Sequence, residues 1–221
     1  MSAPTATPKA PSAAAPAHGH ATTAATPHNP ALGRLGMWLF ICTEILIFGG
    51  LFLLYSVYRY RHHDDFHAAS ALLDRVFGTT NTIVLITSSL TAVLSIHELR
   101  LGNKGRSRLF LLFTILCGFA FLGIKSFEWG AKFEHGLYPG AAHLMSLPFG
   151  EILYFGLYFT MTGLHAIHVI IGMSIFAYIY RRIGKGTVTG EKPIVLENAG
   201  LFWHLVDIIW IFLFPLFYLI S

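Results

Sequence analysis

The chain has 221 residues, of which 54% are hydrophobic and only 12% are charged, whereas a typical soluble domain carries charge on about 25% of its residues. Its mean hydropathy is +0.60. This composition excludes an ordinary water-soluble domain and indicates that most of the chain lies in a membrane. The formal net charge is +4, but the Lys and Arg residues form short clusters between apolar runs. They predict membrane-flanking loops and no binding to nucleic acid.

Residues 1–32 are rich in Ala, Pro, Thr and His and contain few large apolar side chains. Such a segment cannot bury a hydrophobic core, so it is predicted to be a disordered tail. It has no basic start followed by an apolar stretch, so it is not expected to be a secretory signal. His18, His20 and His28 are candidates for loose metal binding, although solvated histidines are the simpler interpretation.

The two cysteines, Cys42 and Cys117, each lie within an apolar run, and their spacing matches no haem c or zinc-binding motif. Covalent haem attachment and a thiolate metal site therefore lack ligands. We interpret both cysteines as small buried side chains.

The remainder of the chain, residues 33–221, is predicted to be an all-α domain that spans the membrane five times. A helix needs about 20 mainly apolar residues to cross the hydrocarbon layer. Five segments meet this requirement, and Gly, Pro or charged residues separate them. They are residues 36–58, 76–97, 109–127, 152–180 and 199–220.

Lys and Arg residues are retained on the cytoplasmic side of a membrane. Ten of the 15 lie on the side that holds the amino-terminal tail, and the other five lie on the opposite side. The amino terminus is therefore predicted to be cytoplasmic and the carboxyl terminus periplasmic, or on the equivalent sides of an organelle membrane.

Several polar side chains fall within the predicted spans, where they are costly and usually face the bundle interior. At about 1.5 Å per residue, their depths place them in the cytoplasmic half of the membrane, so they predict one interhelical polar layer. His165 and His168 are spaced i, i+3 and share a helix face, as do His204 and Asp207. The layer comprises Glu44, Ser88, Thr91, His165, His168, His204 and Asp207.

This polar layer admits several functions. Structural hydrogen bonding is favoured, and a proton relay, a haem pair or a dimetal site are the alternatives. His204, at a depth of roughly 8 Å, is poorly matched to His165, at roughly 22 Å, so a haem between them is disfavoured. With two membrane carboxylates and no Glu-x-x-His pair, a carboxylate-rich metal site also lacks ligands.

Glu44 has Thr43 and apolar residues as its sequence neighbours, so desolvation favours the protonated carboxyl unless another helix supplies a partner. Two interpretations remain open: a neutral carboxyl that donates one hydrogen bond, and a site that touches lipid or modulates proton entry. Glu128 and Trp129 lie at the outer end of the third predicted helix, where snorkelling and interfacial anchoring explain them.

Several motifs occur in a fixed order along the chain. They are Trp38-Leu39-Phe40 followed by Thr43-Glu44 and Phe48, Asn81-Thr82 with Ser88-Ser89, Phe127-Glu128-Trp129, residues 162–172 (TGLHAIHVIIG), and residues 202–210 (FWHLVDIIW). Together they make the chain resemble subunit III of cytochrome c oxidases, in the five-helix bacterial form of the haem-copper oxidase subunit III family.

The resemblance implies a non-catalytic subunit of an oxygen-reducing, proton-pumping terminal oxidase of the aerobic respiratory chain, in the bacterial cytoplasmic membrane. Haem and copper would lie in partner subunits, with none in this chain. Subunit I would be the main partner, beside subunit II and small subunits. The resemblance also implies bound phospholipid near Glu44 and a role in sustaining proton uptake. The first two helices of the seven-helix form are missing, which leaves the lipid cleft of that form in doubt.

Other functions remain compatible with the sequence. Subunit III of a quinol oxidase and a similar partner of nitric oxide reductase are the nearest, and Glu rather than Asp at position 44 favours the cytochrome c branch. A free-standing membrane cytochrome b and a proton-coupled transporter represent different classes of protein.

Overall fold

The computed structural model describes residues 30–190 and 193–219. Within these ranges every regular element is an α-helix, which confirms the predicted fold class. The helices are α1 (Pro30–Arg61), α2 (His63–Ser70), α3 (Arg75–Arg100), α4 (Lys104–Glu134), α5 (Ala142–Met145), α6 (Phe149–Gly184) and α7 (Ile194–Tyr218). The predicted tail up to residue 29, with His18, His20 and His28, lies outside the described residues.

Five of these helices, α1, α3, α4, α6 and α7, are long and apolar enough to cross a membrane. The five predicted spans are thereby confirmed, and the chain is a multi-pass membrane protein. Each helix is longer than its predicted span at one or both ends, because charged residues of the loops continue the helical turns. The first helix already begins at Pro30, and proline suits the first helical position because no intrahelical partner is needed for its missing N–H.

The end of α4 corrects one prediction. The predicted third span stopped at residue 127, which placed Glu128 and Trp129 at a helix end. Instead α4 continues to Glu134, and Glu128 is only 2% exposed. Snorkelling to the surface does not explain this carboxyl, because partners inside the bundle hold it.

Polar backbone groups at the helix ends are satisfied locally. Asp74 precedes α3 and accepts a hydrogen bond from the Val76 N–H at 2.8 Å, as an N-cap residue does. Gly102 and Gly136 follow α3 and α4 with φ values of +82° and +66°. This left-handed conformation favours glycine and lets the next residue's N–H bond back into the last turn.

The five spans form a closed ring of four helices with a fifth outside. Neighbouring pairs in the ring are α3 with α4, α4 with α6, α6 with α7, and α7 with α3. The first helix, α1, packs on the outside against α6 and α7, and the short α2 covers the start of α6. The polar side chains that point into the ring, such as Ser88, Thr114 and Glu128, are therefore buried, whereas α1 leaves most of its surface to the surroundings.

The cysteines show the effect of this arrangement. Cys42 is exposed on α1, and Cys117 on α4 is partly exposed. The prediction that both are buried is wrong, because each side chain lies on the outward face of its helix.

The α6–α7 contact depends on a glycine. Gly172 on α6 lies against the fully buried ring of Trp203 on α7. A Cβ atom at position 172 would lie 2.7 Å from Trp203 Cε3 and 3.1 Å from Phe202 Cε1. The two helix backbones approach this closely only because residue 172 has no side chain.

We therefore predict that Gly172→Ala destabilises the protein by about 1–3 kcal/mol, which is typical of overpacking. The matched control is Gly156→Ala on the same helix, where a Cβ atom meets nothing within 4 Å. The control should be neutral or stabilising, because Gly costs about 1 kcal/mol relative to Ala inside a helix. Thermal unfolding of the purified protein measures both, and equal midpoints would contradict the close packing.

Candidate functional site

Glu44 is the only acidic side chain of α1. It is 7% exposed, and its Oε2 lies 2.9 Å from Nε2 of His168 on α6. The oxygen lies off the ring N–H direction, so the contact is short without being a linear hydrogen bond. Sequence analysis left open a partner from another helix, and the structure supplies one in His168.

The second ring nitrogen of His168 determines where protons lie in this pair. His168 Nδ1 is 2.7 Å from the carbonyl oxygen of Leu164. A carbonyl only accepts hydrogen bonds, so Nδ1 carries a proton. A further proton shared by the pair then lies either on the Glu44 carboxyl or on His168 Nε2. The pair is electrically neutral in both states, and they differ only in which residue holds one proton.

Aromatic rings surround this polar pair. The Phe48 ring meets the His168 ring edge-on at 5.5 Å, and the Phe202 ring stacks on it at 6.2 Å. Phe40 in turn contacts Phe202 at 5.8 Å. These rings limit the access of water, so the Glu44–His168 contact is the main electrostatic compensation for either charge.

An apolar groove runs along each side of α1. The first, of about 490 Å³, lies between α1 and α7. The second, of about 510 Å³, lies on the other side, where α1 faces α6 and the start of α7. Their linings include Ile41, Phe48, Ile209 and Phe212 in the first groove and Met37, Phe40, Ile175 and Asn198 in the second. Both grooves have the shape and the apolar chemistry to hold a hydrocarbon chain.

A row of hydroxyl groups on α3 binds α7. Ser88 Oγ accepts a hydrogen bond from Trp203 Nε1 at 3.0 Å, and Thr82 Oγ1 accepts one from Trp210 Nε1 at 3.0 Å. Next to the Ser88 contact, Ser89 Oγ lies 2.6 Å from His204 Nδ1. These bonds fix the register of α7 against α3.

On its other side, α3 is bonded to α4. Thr91 Oγ1 and Thr114 Oγ1 lie 2.8 Å apart, and Ser95 Oγ donates to the Ser107 carbonyl at 2.9 Å. All four side chains are buried. Ser88, Thr91 and His204, which sequence analysis assigned to an interhelical layer, thus each bond to a neighbouring helix.

His165 and Asp207 behave differently. Both are buried, and their side-chain polar atoms make no hydrogen bond within the described residues. His165 packs against the rings of Phe121 and Trp210, with centroids 5.4 and 5.2 Å away. Asp207 lies beside Ser89 on the α3 side of α7.

The prediction of one continuous polar layer is therefore wrong. His165 and His168 are separated by roughly 60° around α6, since a helix turns about 100° per residue. That difference directs His165 into the four-helix ring and His168 towards α1. The polar residues form a separate pair at α1, a row between α3 and its neighbours, and unpaired groups inside the ring.

A buried charged cluster inside the ring was missed from the sequence. Lys125 Nζ on α4 donates to Glu128 Oε2 at 3.0 Å and to the hydroxyls of Tyr158 and Tyr218 at 3.0 and 2.6 Å. Both hydroxyls donate to Glu128 Oε1, at 2.8 and 2.6 Å. Charges buried this deeply need such a complete set of partners. The i, i+3 spacing of Lys125 and Glu128 could have indicated this ion pair, but the predicted helix ended at residue 127, before Glu128.

The same region holds the carboxyl end of α7. Tyr154 Oη donates to the Phe217 carbonyl at 2.7 Å, and Tyr55 Oη donates to the Leu216 carbonyl. The last carbonyls of a helix have no intrahelical partner. Side chains from α1, α4 and α6 thus fasten the end of α7.

No group of three or more His, Cys, Asp or Glu side chains in the described part of the chain could hold a metal ion. The intramembrane histidines also have other neighbours: His168 contacts Glu44, His204 contacts Ser89, and His165 packs between aromatic rings.

Comparison with known proteins identifies the family of this chain. A family profile described as cytochrome c oxidase subunit III matches residues 15–221. The chain is 29% identical over 187 residues to cytochrome c oxidase subunit 3 of Bacillus subtilis, an alignment that covers 85% of this chain and 86% of that protein. It is also 29% identical over 194 residues to quinol oxidase subunit 3 of the same organism, covering 86% and 88%.

A third relative is a fused protein. The chain is 30% identical over 193 residues to the haem-copper oxidase subunit I+III of Aeropyrum pernix, which covers 85% of this chain. The match spans only 22% of that longer protein. Since the family profile covers nearly the whole chain, the protein belongs to the cytochrome c oxidase subunit III family and is a haem-copper oxidase subunit III.

Proposed function

We propose that the chain is the accessory, non-catalytic subunit III of a proton-pumping cytochrome c oxidase. It binds subunit I, holds phospholipid beside α1 and sustains proton uptake through Glu44 and His168. The observation that carries this proposal is an acid–histidine pair, Glu44 and His168, that joins a peripheral helix to the bundle between two apolar grooves. Neither a free-standing cytochrome b nor a transporter accounts for the family match.

Haem and copper belong to the partner subunits in this proposal. The donor set of this chain does not fit either group, because the histidines of the described spans have other contacts and do not face one another at one depth. Cys42 and Cys117 lie on different helices, α1 and α4, so they do not form a thiolate pair. Oxygen reduction is therefore assigned to subunit I, and this chain acts on it from outside.

Phospholipid fits the grooves beside α1. Their walls are almost wholly apolar, as acyl chains require. Gly33 and Asn198 line the second groove. Arg34, which follows Gly33 in the sequence, is exposed, and its Nη2 lies 3.8 Å from Glu197 Oε2. An arginine beside the end of an apolar groove suits a lipid phosphate, since guanidinium groups bind phosphate well.

The Glu44–His168 pair suits a role in proton uptake better than a purely structural role. A proton can move between the two residues without a change in the net charge of the pair, so the transfer adds little desolvation cost. Glu44 lies on α1, which packs less extensively against the bundle than the ring helices pack against one another. We assign to it a step that delivers or buffers protons for the partner subunit, with no part in oxygen chemistry.

Subunit I is the expected main partner, with subunit II and small subunits beside it. The Aeropyrum pernix relative carries subunits I and III in one chain by its name, which supports adjacency of the two. Many large apolar side chains of α1 and α3 are exposed in this chain alone, among them Leu39, Leu46, Ile83 and Leu90. Such surfaces suit lipid or another membrane helix.

The proposed orientation has the amino terminus in the cytoplasm and the carboxyl terminus in the periplasm of a bacterial cytoplasmic membrane. One end of the bundle holds Arg34, Arg100 and Glu197, with Arg100 Nη2 2.7 Å from Glu197 Oε1. The opposite end holds fewer basic residues. The excess of basic residues supports a cytoplasmic location for the first end.

For the electron donor, we propose cytochrome c and retain quinol as the alternative, with a nitric oxide reductase partner as a more distant one. Relatives named for both donors are equally similar to this chain. The purified complex is predicted to oxidise reduced cytochrome c rapidly and ubiquinol slowly. Oxygen-electrode assays with each donor distinguish the two possibilities. Faster oxidation of ubiquinol than of cytochrome c would assign the chain to a quinol oxidase.

The second prediction concerns Glu44→Gln in the assembled complex. Its initial rate of oxygen consumption should equal that of the wild type, because the redox centres lie elsewhere. Its activity should decline earlier over successive turnovers, because glutamine cannot exchange a proton with His168. Glu98→Gln is the matched control, since Glu98 is a carboxyl bonded to Asn103 at a helix end, and it should show wild-type endurance.

His168→Gln tests the pair as a unit. In a double-mutant cycle of thermal stability, Glu44 and His168 should show a coupling of about 0.5–3 kcal/mol, as directly interacting residues do. The double variant should then lose endurance no faster than either single variant. Immediate loss of all activity in an assembled Glu44→Gln complex would contradict an accessory role, and strictly additive effects would contradict the pairing.

A further inference from the structure

Two fully buried side chains of the four-helix ring have no hydrogen-bond partner among the described residues. Asn81 on α3 and His165 on α6 are each 0% exposed, and neither the amide atoms nor the ring nitrogens form a hydrogen bond within the described residues. Buried polar groups in proteins nearly always have a partner, either protein or ordered water. In a membrane, where bulk water is distant, leaving them bare is especially costly.

Trp210 connects His165 with the turn of α3 that carries Asn81. The His165 ring is 5.2 Å from that of Trp210, and the Trp210 N–H binds Thr82, the sequence neighbour of Asn81. Gly78, one turn before Asn81, lies against the Tyr218 ring, whose centroid is 6.4 Å from that of Trp210. Trp210 and Tyr218 therefore border the turn of α3 that carries Asn81, and Trp210 also borders His165.

The charged cluster ends at the same place. Lys125 Nζ is 5.2 Å from the centroids of both the Trp210 and the Tyr218 rings. Its three N–H donors are already used by Glu128, Tyr158 and Tyr218. Each tyrosine hydroxyl donates to Glu128 and accepts from Lys125, which leaves one free lone pair on each oxygen. The cluster can therefore accept further hydrogen bonds but cannot donate them.

The chemistry of these groups selects the ligand. Asn81 offers both donors and an acceptor, the neutral imidazole offers one of each, and the cluster offers acceptors only. Lys125 and Glu128 balance each other in charge, so no counterion is required. A small neutral molecule that both donates and accepts is needed, and water meets this description.

We propose that Asn81 and His165 bind internal water at the inner end of the Lys125–Glu128 cluster. This water bridges the amide, the imidazole and a tyrosine hydroxyl, and it extends the polar network from the charged cluster to the His165 ring. His165 is then a solvated group inside the ring, although protein surrounds it on every side.

Charged side chains follow one face of α4. Lys125, Glu128 and Lys132 are spaced i, i+3 and i+7, so they lie in line along the helix. Lys132 donates to the Leu72 carbonyl and lines an outer pocket of about 390 Å³ together with Glu151. Lys132 therefore lies between this outer pocket and the charged cluster.

The test is a cryo-electron microscopy map of the intact complex, purified through a tag on this chain, at a resolution that shows ordered water. We expect water density within hydrogen-bonding distance of both Asn81 and His165. His165→Phe keeps an aromatic ring between Phe121 and Trp210 but removes both nitrogens, so the density should be lost. Asn81→Leu should also remove it. Ser88→Ala, seven residues along the same face of α3, is the matched control and should leave it unchanged.

Thermal stability provides a second measurement that does not need a map of each variant. If water satisfies His165, His165→Phe breaks bonds and shifts the unfolding midpoint downward. If His165 is bare, the same change removes an unpaired polar group and shifts the midpoint upward, which would overturn the proposal. It would also be overturned by a wild-type map that shows water at other buried groups but none here, or that shows a lipid or partner-subunit atom bonded to Asn81 or His165.

Discussion

A polar side chain that enters a membrane bundle must find its partner inside the bundle, in protein or in internal water, because the hydrocarbon layer offers none. In this chain the requirement organises the ring of α3, α4, α6 and α7. Hydroxyls of α3 hold α7 and α4, tyrosines fasten the end of α7, and Lys125 and Glu128 neutralise each other in a complete set of hydrogen bonds. Apart from the Lys125–Glu128 bond within α4, each of these bonds joins two specific helices, so together they fix the order and register of the ring.

The attachment of α1 follows a different rule. This helix lies outside the ring and leaves most of its surface exposed, and its one carboxyl reaches a single histidine of α6. Apolar grooves on both sides separate it from the neighbouring helices. A weakly packed helix with one proton-exchanging contact is suited to respond to lipid or to a partner subunit. In the proposed function, the ring provides the structural frame and α1 carries the Glu44–His168 contact.

The fold was largely predictable from the sequence, because apolar runs of sufficient length must be helices in a membrane. The ends of those helices were less predictable: charged residues such as Glu128 and Lys132 indicated a loop, although buried partners keep them within α4. The pairing of Glu44 with His168 could not be predicted from the sequence, since it depends on how α1 packs against α6. The same limit produced the mistaken single polar layer, because equal depth along two helices does not make their side chains face each other.

The account rests on the claim that this chain supports an oxidase without carrying a redox centre. The most direct test is purification of the tagged chain from its native membrane in mild detergent, followed by a visible absorption spectrum and identification of the attached subunits. The account predicts haem absorption together with an oxidase subunit I, and loss of that absorption once this chain is separated from its partners. Stoichiometric haem retained by the separated chain, or purification without any haem-copper subunit, would contradict it.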